Sequence, residues 1–444
     1  MKHCVVCENS QRGADICHEF IFDGVLMGFI SQRRRKTKTH SIEVPIEKAY
    51  LVALEGWSES ESGMPVEHSL RELGRLVRTA GGTVVGRATQ RRPKPHPAHY
   101  IGKGKIEEIV ESRSILDYTM VVFDDELSPT QQLNLEKAFG VKVLDRSALI
   151  LDIFAQRART KEASLQVELA QHEYLKPRLR GQWQHLSRTV GGPGSGNTAI
   201  GTRGPGETQL ETDRRLIDRR ISRLRKAITG VRKHRMLQRE RRLREGIPVV
   251  ALVGYTNAGK SSLLKSLAGT EVFTADAPFA TLDPLTRRLE VRGHGGILLT
   301  DTVGFMQKLP PQLISAFQTT LEELSTASLL VHVIDAESPV FETQISIVND
   351  TLTSLALTDI PMLTVVNKSD LLFEKRQYES LARDNADSPM LNSELDKLGL
   401  NLITSNENNE LIYVSATEKW GISQLRNRLL YEFFGFSYED PDQA

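Results

Sequence analysis

Val249-Val250-Ala251-Leu252-Val253-Gly254-Tyr255-Thr256-Asn257-Ala258-Gly259-Lys260-Ser261 decides the fold. The valine-rich start reads as a short buried strand. It runs into the pattern G-x-x-x-x-G-K-S, and Ser262–Leu267 continues with helical character. Strand, glycine loop and helix form the context in which this pattern cradles phosphates. Gly254 and Gly259 let backbone N–H groups, those of Asn257 and Ala258 among them, curl around phosphate oxygens. The helix entered through Lys260, Ser261 and Ser262 adds its positive end. Lys260 is expected to reach the β- and γ-phosphates, and Ser261 to bind Mg²⁺.

Downstream, Ile297-Leu298-Leu299-Thr300 reads as a strand ending at Asp301-Thr302-Val303-Gly304. A strand-end Asp301 can hold Mg²⁺, usually through water. Gly304 lets the backbone approach a γ-phosphate and flip once it has left. Between these motifs, Phe279-Ala280-Thr281-Leu282-Asp283-Pro284 supplies a switch segment. Thr281 is the leading candidate to complete the Mg²⁺ shell, with Thr286 and Thr274 as rivals. Lys260, Thr281 and Gly304 are therefore the expected catalytic set. Phe305 stands where many such enzymes carry a water-orienting glutamine. A phenyl ring cannot orient water, so a slow intrinsic rate is expected. The missing group would come from a partner, another loop or K⁺, for which Asn257 is the candidate ligand.

Met362–Val366 reads as another strand, ending at Asn367-Lys368-Ser369-Asp370. Asp370 can accept from the N1–H and 2-amino group that guanine has and adenine lacks, so a wrong base leaves a carboxylate unpaired. Lys368 can lie over the base, Asn367 can brace the loop, and the backbone of Ser415-Ala416 can meet the guanine O6. Each motif falls at a strand end, where parallel sheets bind ligands. The substrate expected is GTP.

Upstream, residues 46–145 alternate apolar runs with helical patterns. Tyr50–Leu54, Thr83–Ala88, Met120–Phe123 and Val141–Leu144 read as strands. Val66–Ala80, Ile106–Val110 and Thr130–Phe139 read as helices. The pattern predicts a mainly parallel sheet with covering helices. Gly102-Lys103-Gly104-Lys105 is read as a loop-to-helix turn, with phosphate contact as the rival. Residues 146–246 are expected to form a helical hairpin: a run from Arg146 to Leu175 with Pro177 as its first breaker, a glycine-dense tip loop through Gly191–Gly206, and a long helix Glu207–Glu245. From Arg203 to Arg244 there are fifteen Lys/Arg against five Asp/Glu, a local excess of +10. That excess points to nucleic acid, through phosphates and folded RNA shape rather than stacked bases, since no aromatics interleave. Residues 247–438 are expected to be the nucleotide-binding domain, 1–45 an N-terminal extension and 439–444 a tail.

The 444 residues carry 39% hydrophobic and 25% charged side chains, so collagen-like, disordered and disulfide-scaffold classes are excluded. No apolar run is long enough to span a bilayer, and the chain reads as cytoplasmic. The net charge of +1 hides the basic helix, which is offset by an acidic balance after Leu371. Cys4, Cys7 and Cys17 with His18 have ligand types that suit zinc but lack a second clean pair.

Gly204-Pro205-Gly206-Glu207-Thr208-Gln209-Leu210-Glu211-Thr212-Asp213-Arg214-Arg215, followed by the motifs around Lys260 and Asp301, resembles the HflX family of bacterial GTPases. His96–Lys105 and Leu151–Arg159 carry the same resemblance, which covers Ala49 to Tyr438. It implies an α/β fold: an N-terminal α/β domain plus a long helical hairpin, followed by a Ras-like P-loop GTPase domain. It implies binding to the large ribosomal subunit and its rRNA, with the hairpin tip reaching toward the peptidyl-transferase centre. Family members split ribosomes under stress or rescue stalled ones, and their α/β piece is associated with an adenine-nucleotide activity, here an open alternative around Gly102–Lys105. The expectation is a monomeric, Mg²⁺-dependent GTPase coupling its GTP state to ribosome dissociation or rescue. A GTP-controlled RNA-binding assembly factor, with hydrolysis secondary, is the alternative. A third reading is an RNA-remodelling hydrolase using the N-terminal α/β region.

Overall fold

The structure is a computed structural model and describes residues 46–57, 63–189, 205–244, 246–269, 278–279, 281–291, 295–309, 324–372 and 411–435. The cysteine segment, most of the glycine-dense loop (190–204), Thr274 and the 439–444 tail lie outside the described residues.

Strands β1 (Lys48–Gly56), β2 (Thr83–Arg92), β3 (Met120–Phe123) and β4 (Lys142–Asp145) pair in the order β2-β1-β3-β4, parallel throughout. The period-2 alternation of β1 sorts its side chains onto two faces. Ala49, Leu51 and Ala53 pack with Leu70, Leu73, Leu76 and Val77 of α1 (Val66–Thr79). Tyr50, Val52 and Leu54 pack with Ile106 and Ile109 of α2 (Lys103–Leu116) and with Leu135 and Phe139 of α3 (Pro129–Phe139). Strand β2 runs four residues past the expected Ala88, because this edge strand keeps pairing until Gly56 meets Arg92. Gly102 is the N-cap of α2 and donates its N–H to Gln90 Oε1 at 2.8 Å, so Lys103–Lys105 open a helix.

The run from Arg146 departs from the sequence expectation twice. It is two helices, α4 (Arg146–Arg157) and α5 (Lys161–Thr189). Ala158 is extended, and the Thr160 hydroxyl accepts the Ala163 N–H at 3.1 Å, which starts α5 afresh. Pro177, expected to break the helix, lies inside α5. A mid-helix proline removes a donor and crowds the preceding turn. Here Arg178 Nη1 donates to the Tyr174 carbonyl at 3.0 Å, and its guanidinium lies 3.5 Å from the Tyr174 ring centre. Helix α6 (Pro205–Arg244) begins earlier than Glu207 because proline is pre-set for a first helical turn. It packs on α5 through buried Ile221 and Leu224 and through the ion pairs Lys176–Asp218, Arg220–Glu168 and Arg225–Glu173.

Strands β5 (Val249–Gly254), β6 (Leu285–Val291), β7 (Gly295–Asp301), β8 (Leu329–Asp335), β9 (Met362–Asn367) and β10 (Leu411–Tyr413) form a second sheet in the order β10-β9-β8-β5-β7-β6. Only β6 is antiparallel, against β7. One face packs Val250 and Leu252 with Leu263, Leu264 and Leu267 of α7 (Lys260–Ala268) and Leu425, Leu429 and Leu430 of α9 (Ile422–Phe434). The other sets Ala251 and Val253 near Val348 and Leu352 of α8 (Phe341–Ser354). This second face belongs to the same apolar cluster as α1 and α4, so the two sheets share one continuous core. Among the described residues no helix is long and apolar enough to cross a membrane.

Candidate functional site

Strand β5 delivers the glycine loop and α7 continues it. Gly259 has φ +90°, and a Cβ there would run into the Asn367 amide, so only glycine fits. Gly304 is the second close approach: a Cβ would stand 2.8 Å from Thr256 Cα and 2.9 Å from Lys260 Nζ. The loop is tied to the β7 exit by hydrogen bonds from Thr256 N to the Phe305 carbonyl (2.7 Å) and from Phe305 N to the Gly254 carbonyl (3.0 Å).

Lys260 is buried, with Nζ donating to the carbonyls of Gly254 (3.1 Å) and Tyr255 (2.9 Å). Burial pulls its ammonium down to about 8, and the nearby Asp301 carboxylate pulls the other way. Ser261, Thr281 and Asp301 come together: Ser261 Oγ donates to Asp301 Oδ2 at 2.6 Å, and Thr281 Oγ1 does so at 2.8 Å. The two hydroxyls are 2.8 Å apart. Asp301 is fully buried, and burial pushes its carboxyl up against the pull of Lys260 and the two hydroxyls. Its Oδ1 has no hydrogen-bond partner. Thr286 points elsewhere, its hydroxyl 3.0 Å from that of Thr300. Among the described residues there is no group of three or more His, Cys, Asp or Glu side chains placed to hold a metal ion.

The base-reading candidates form a second cluster. Asn367 spans two loops: Nδ2 donates to the Ala258 carbonyl at 2.9 Å, and Oδ1 accepts from Ala416 N at 3.1 Å. Lys368 has φ +63° and pairs with Asp335 at 2.7 Å. Asp370 is half-buried on a single 3₁₀ turn, Ser369–Leu371. Ser415 is buried, its N–H donating to the Trp420 carbonyl at 3.1 Å and its Oγ accepting from Glu418 N at 3.0 Å. Asn257 sits at φ +65° in the glycine loop, and Ser262 lies in the first turn of α7. Phe305 is 3% exposed and joins the shared core, away from any water-orienting role.

Further contacts surround this site. Lys308, just beyond Gly304, is held between Asp124 (2.6 Å) and Asp125, at the end of β3. Asp124 also accepts from Ser69 (2.6 Å) and from Arg146 Nη1 (2.8 Å), while Arg146 Nη2 pairs with Glu72. Burial alone would raise the Asp124 carboxyl, but Arg146 and Lys308 outweigh it and hold it low. The Tyr255 hydroxyl accepts from Gln307 N at 3.1 Å, and burial next to Glu72 pushes it up. Asp283 accepts from the backbone of Arg159 and Thr160 at the root of α5. Tyr255 and Asp283 lie in the phosphate-loop and switch strings; for the Lys308–Asp124–Arg146 network the sequence signal is the acidic pair Asp124-Asp125 at the end of an apolar strand.

Three family models match in sequence order: GTP-binding GTPase N-terminal over residues 67–155, GTP-binding GTPase Middle Region over 157–242, and 50S ribosome-binding GTPase over 249–368. A GTPase HflX from Caldanaerobacter subterraneus subsp. tengcongensis is 45% identical over 388 residues, 87% of this chain and 81% of that protein. The GTPase HflX of Escherichia coli K12 is 46% identical over 322 residues, 72% and 73% of the two chains. A crystal structure of a GTP-binding protein from Sulfolobus solfataricus with GDP covers 87% of this chain at 23% identity, with a TM-score of 0.42, too loose a likeness to carry an argument. With 45% identity over most of both chains, and a phosphate loop at the expected strand end, the chain belongs to the HflX family of GTPases and hydrolyses GTP.

Proposed function

We propose that this GTPase binds the large ribosomal subunit and its rRNA, and couples its GTP state to ribosome dissociation or rescue. The observation that carries the reading is the excess of fourteen Lys/Arg over five Asp/Glu on α6, +9, in a chain whose nucleotide site matches a ribosome-binding GTPase model. Within α6, Arg219, Arg223 and Lys226 make no ion pair among the described residues, whereas Arg220 and Arg225 are paired to α5. The former carry the charge available to phosphate. The proposed working parts are the α/β region 46–145, the hairpin 146–246 and the G domain 247–438, in a monomeric cytoplasmic protein.

At the site, Gly254, Asn257, Ala258, Gly259, Ser261 and Ser262 line the phosphates. Lys260 exchanges the Gly254 and Tyr255 carbonyls for β- and γ-phosphate oxygens. Ser261, Thr281 and Asp301 would hold Mg²⁺, a fit supported by two hydroxyls converging on a buried carboxylate whose second oxygen is unpartnered. That ion would offset charge developing on the transferred phosphoryl group. Gly304 senses the γ-phosphate through its N–H. Asp370 reads guanine, Lys368 covers it, and Asn367 fixes Ser415-Ala416 against it. Asn257 is the proposed K⁺ ligand.

Co-sedimentation with purified large subunits, comparing a non-hydrolysable GTP analogue with GDP while following turnover, tests the proposal. Analogue-dependent binding with subunit-stimulated hydrolysis is expected; no binding in either state would refute it. The second reading, an assembly factor with incidental hydrolysis, is favoured by the inward-facing Phe305. It predicts that precursor subunits, not mature ones, accelerate turnover.

A further inference from the structure

The short stretch Thr281-Leu282-Asp283 faces two ways. Thr281 Oγ1 lies 2.8 Å from both Ser261 Oγ and Asp301 Oδ2. Two residues on, Asp283 reaches α5 instead of its own sheet. Its Oδ2 accepts the N–H groups of Arg159 (3.0 Å) and Thr160 (3.1 Å), and its Oδ1 accepts the Thr160 hydroxyl. Thr160 in turn accepts the Ala163 N–H. The first N–H groups of a helix have no partner within it, and its dipole favours a carboxylate there. Asp283 therefore completes the N-terminal cap of a 29-residue helix.

The connection has little slack. Leu282 is 2% exposed, and Pro284 biases Asp283 toward extended backbone. Phe279, on the other side of Thr281, meets Phe154 of α4 edge-on at 4.6 Å. Thr281 is thus anchored on both sides by the helical region.

We propose that Asp283 is a positioning residue of the GTPase reaction: by capping the root of α5 it holds Thr281 against Ser261 and Asp301. Occupancy of the triphosphate site and order at the start of α5 then rise and fall together, since a coupling between two sites acts equally in both directions. The proposal rests on the reading of Thr281 as the Mg²⁺-completing switch residue.

The test uses the full chain with Mg²⁺ and compares wild type, Asp283→Ala, Asp283→Asn and Thr281→Ala. Two quantities are read: affinities for fluorescent GDP and a fluorescent non-hydrolysable GTP analogue, and hydrogen exchange of the 158–164 amides in each state. Asp283→Ala should weaken the analogue about tenfold, the worth of a charge-assisted cap, and GDP by less than about twofold. In wild type the Arg159 and Thr160 amides should exchange more slowly with analogue than with GDP; the alanine variant should erase that difference. Asp283→Asn keeps one acceptor oxygen and should restore most of the analogue affinity. If Asp283→Ala weakens both nucleotides equally, or exchange ignores the nucleotide, while Thr281→Ala still discriminates, the positioning role is overturned. If Thr281→Ala does not discriminate either, the switch reading falls and takes this proposal with it.

Discussion

Replacing Lys308 with alanine removes the cation that ties the end of β7 to the end of β3. Asp124 is 0% exposed, and its oxygens meet Lys308 at 2.6 Å, Arg146 at 2.8 Å and Ser69 at 2.6 Å. Breaking a buried pair by deleting one partner costs about 3–5 kcal/mol, mostly from the charge left behind. Arg146 remains on Asp124, and the Lys308 side chain is 17% exposed, so the expected loss is about 1.5–2.5 kcal/mol, half that range. Equilibrium urea unfolding of the full chain, followed by tryptophan fluorescence, reads this out, with Trp57 beside the first sheet and Trp420 at the Ser415 loop. A cycle with Asp124→Asn should give a coupling of about 1.5 kcal/mol or more. A loss below about 0.5 kcal/mol, the level of an ordinary surface substitution, would refute the reasoning. So would a Lys308→Met variant as stable as wild type, because the charge would then be dispensable.

Lys260→Ala should reduce GTP affinity by at least about a hundredfold, since it removes a charge-assisted phosphate contact; unchanged binding by fluorescent-nucleotide titration would sink the phosphate-loop assignment. Asp370→Asn should shift preference from guanine toward xanthine nucleotides in competition assays, and an unaltered ranking would reject its specificity role. Arg219→Gln with Arg223→Gln should weaken large-subunit binding and lower the slope of log affinity against log salt by about 2; an unchanged slope would mean that both arginines are merely solvated. His332 is buried on β8, and burial pushes its imidazole from 6.5 down to about 4. Between those values the unfolded chain binds the extra proton, so stability should fall by about 3 kcal/mol as pH drops from 6.5 to 4 and level off below. His332→Gln should flatten that part of the pH–stability curve; the same slope in the variant would assign it to other groups.

The phosphate and base motifs were legible because each is a local string ending an apolar strand, and strand ends of a parallel sheet converge on one edge. The alternation in Ala49–Leu54 likewise announced a sheet covered on both faces. What stayed hidden depends on partners distant in sequence. In Ala158-Arg159-Thr160 only the N-cap threonine hints at a helix start, and the carboxylate that completes the cap, Asp283, lies more than a hundred residues away. Pro177 reads as a stop, yet it lies inside α5, where the neighbouring Arg178 stacks on and bonds to Tyr174 rather than marking an end. Arg146 looks like an ordinary first-turn cation, but it is 1% exposed between Glu72 and Asp124. Lys308 belongs to no motif and acquires meaning only once the segment after β7 meets Asp124 and Asp125 beyond β3.

With Asp283 in its proposed role, helix α5 would act as a lever. Its 29 residues span roughly 44 Å from Thr160 to the far end at Thr189. A tilt of about 5° at the root would swing the far end by roughly 4 Å, about three quarters of one helical turn. The ion pairs to α6 at Glu168, Glu173 and Lys176 splint the shaft from its root up to Pro177. A sub-ångström change at the γ-phosphate, passed through Asp283, would thereby arrive at the distal end as a stroke large enough to displace a neighbouring side chain or base.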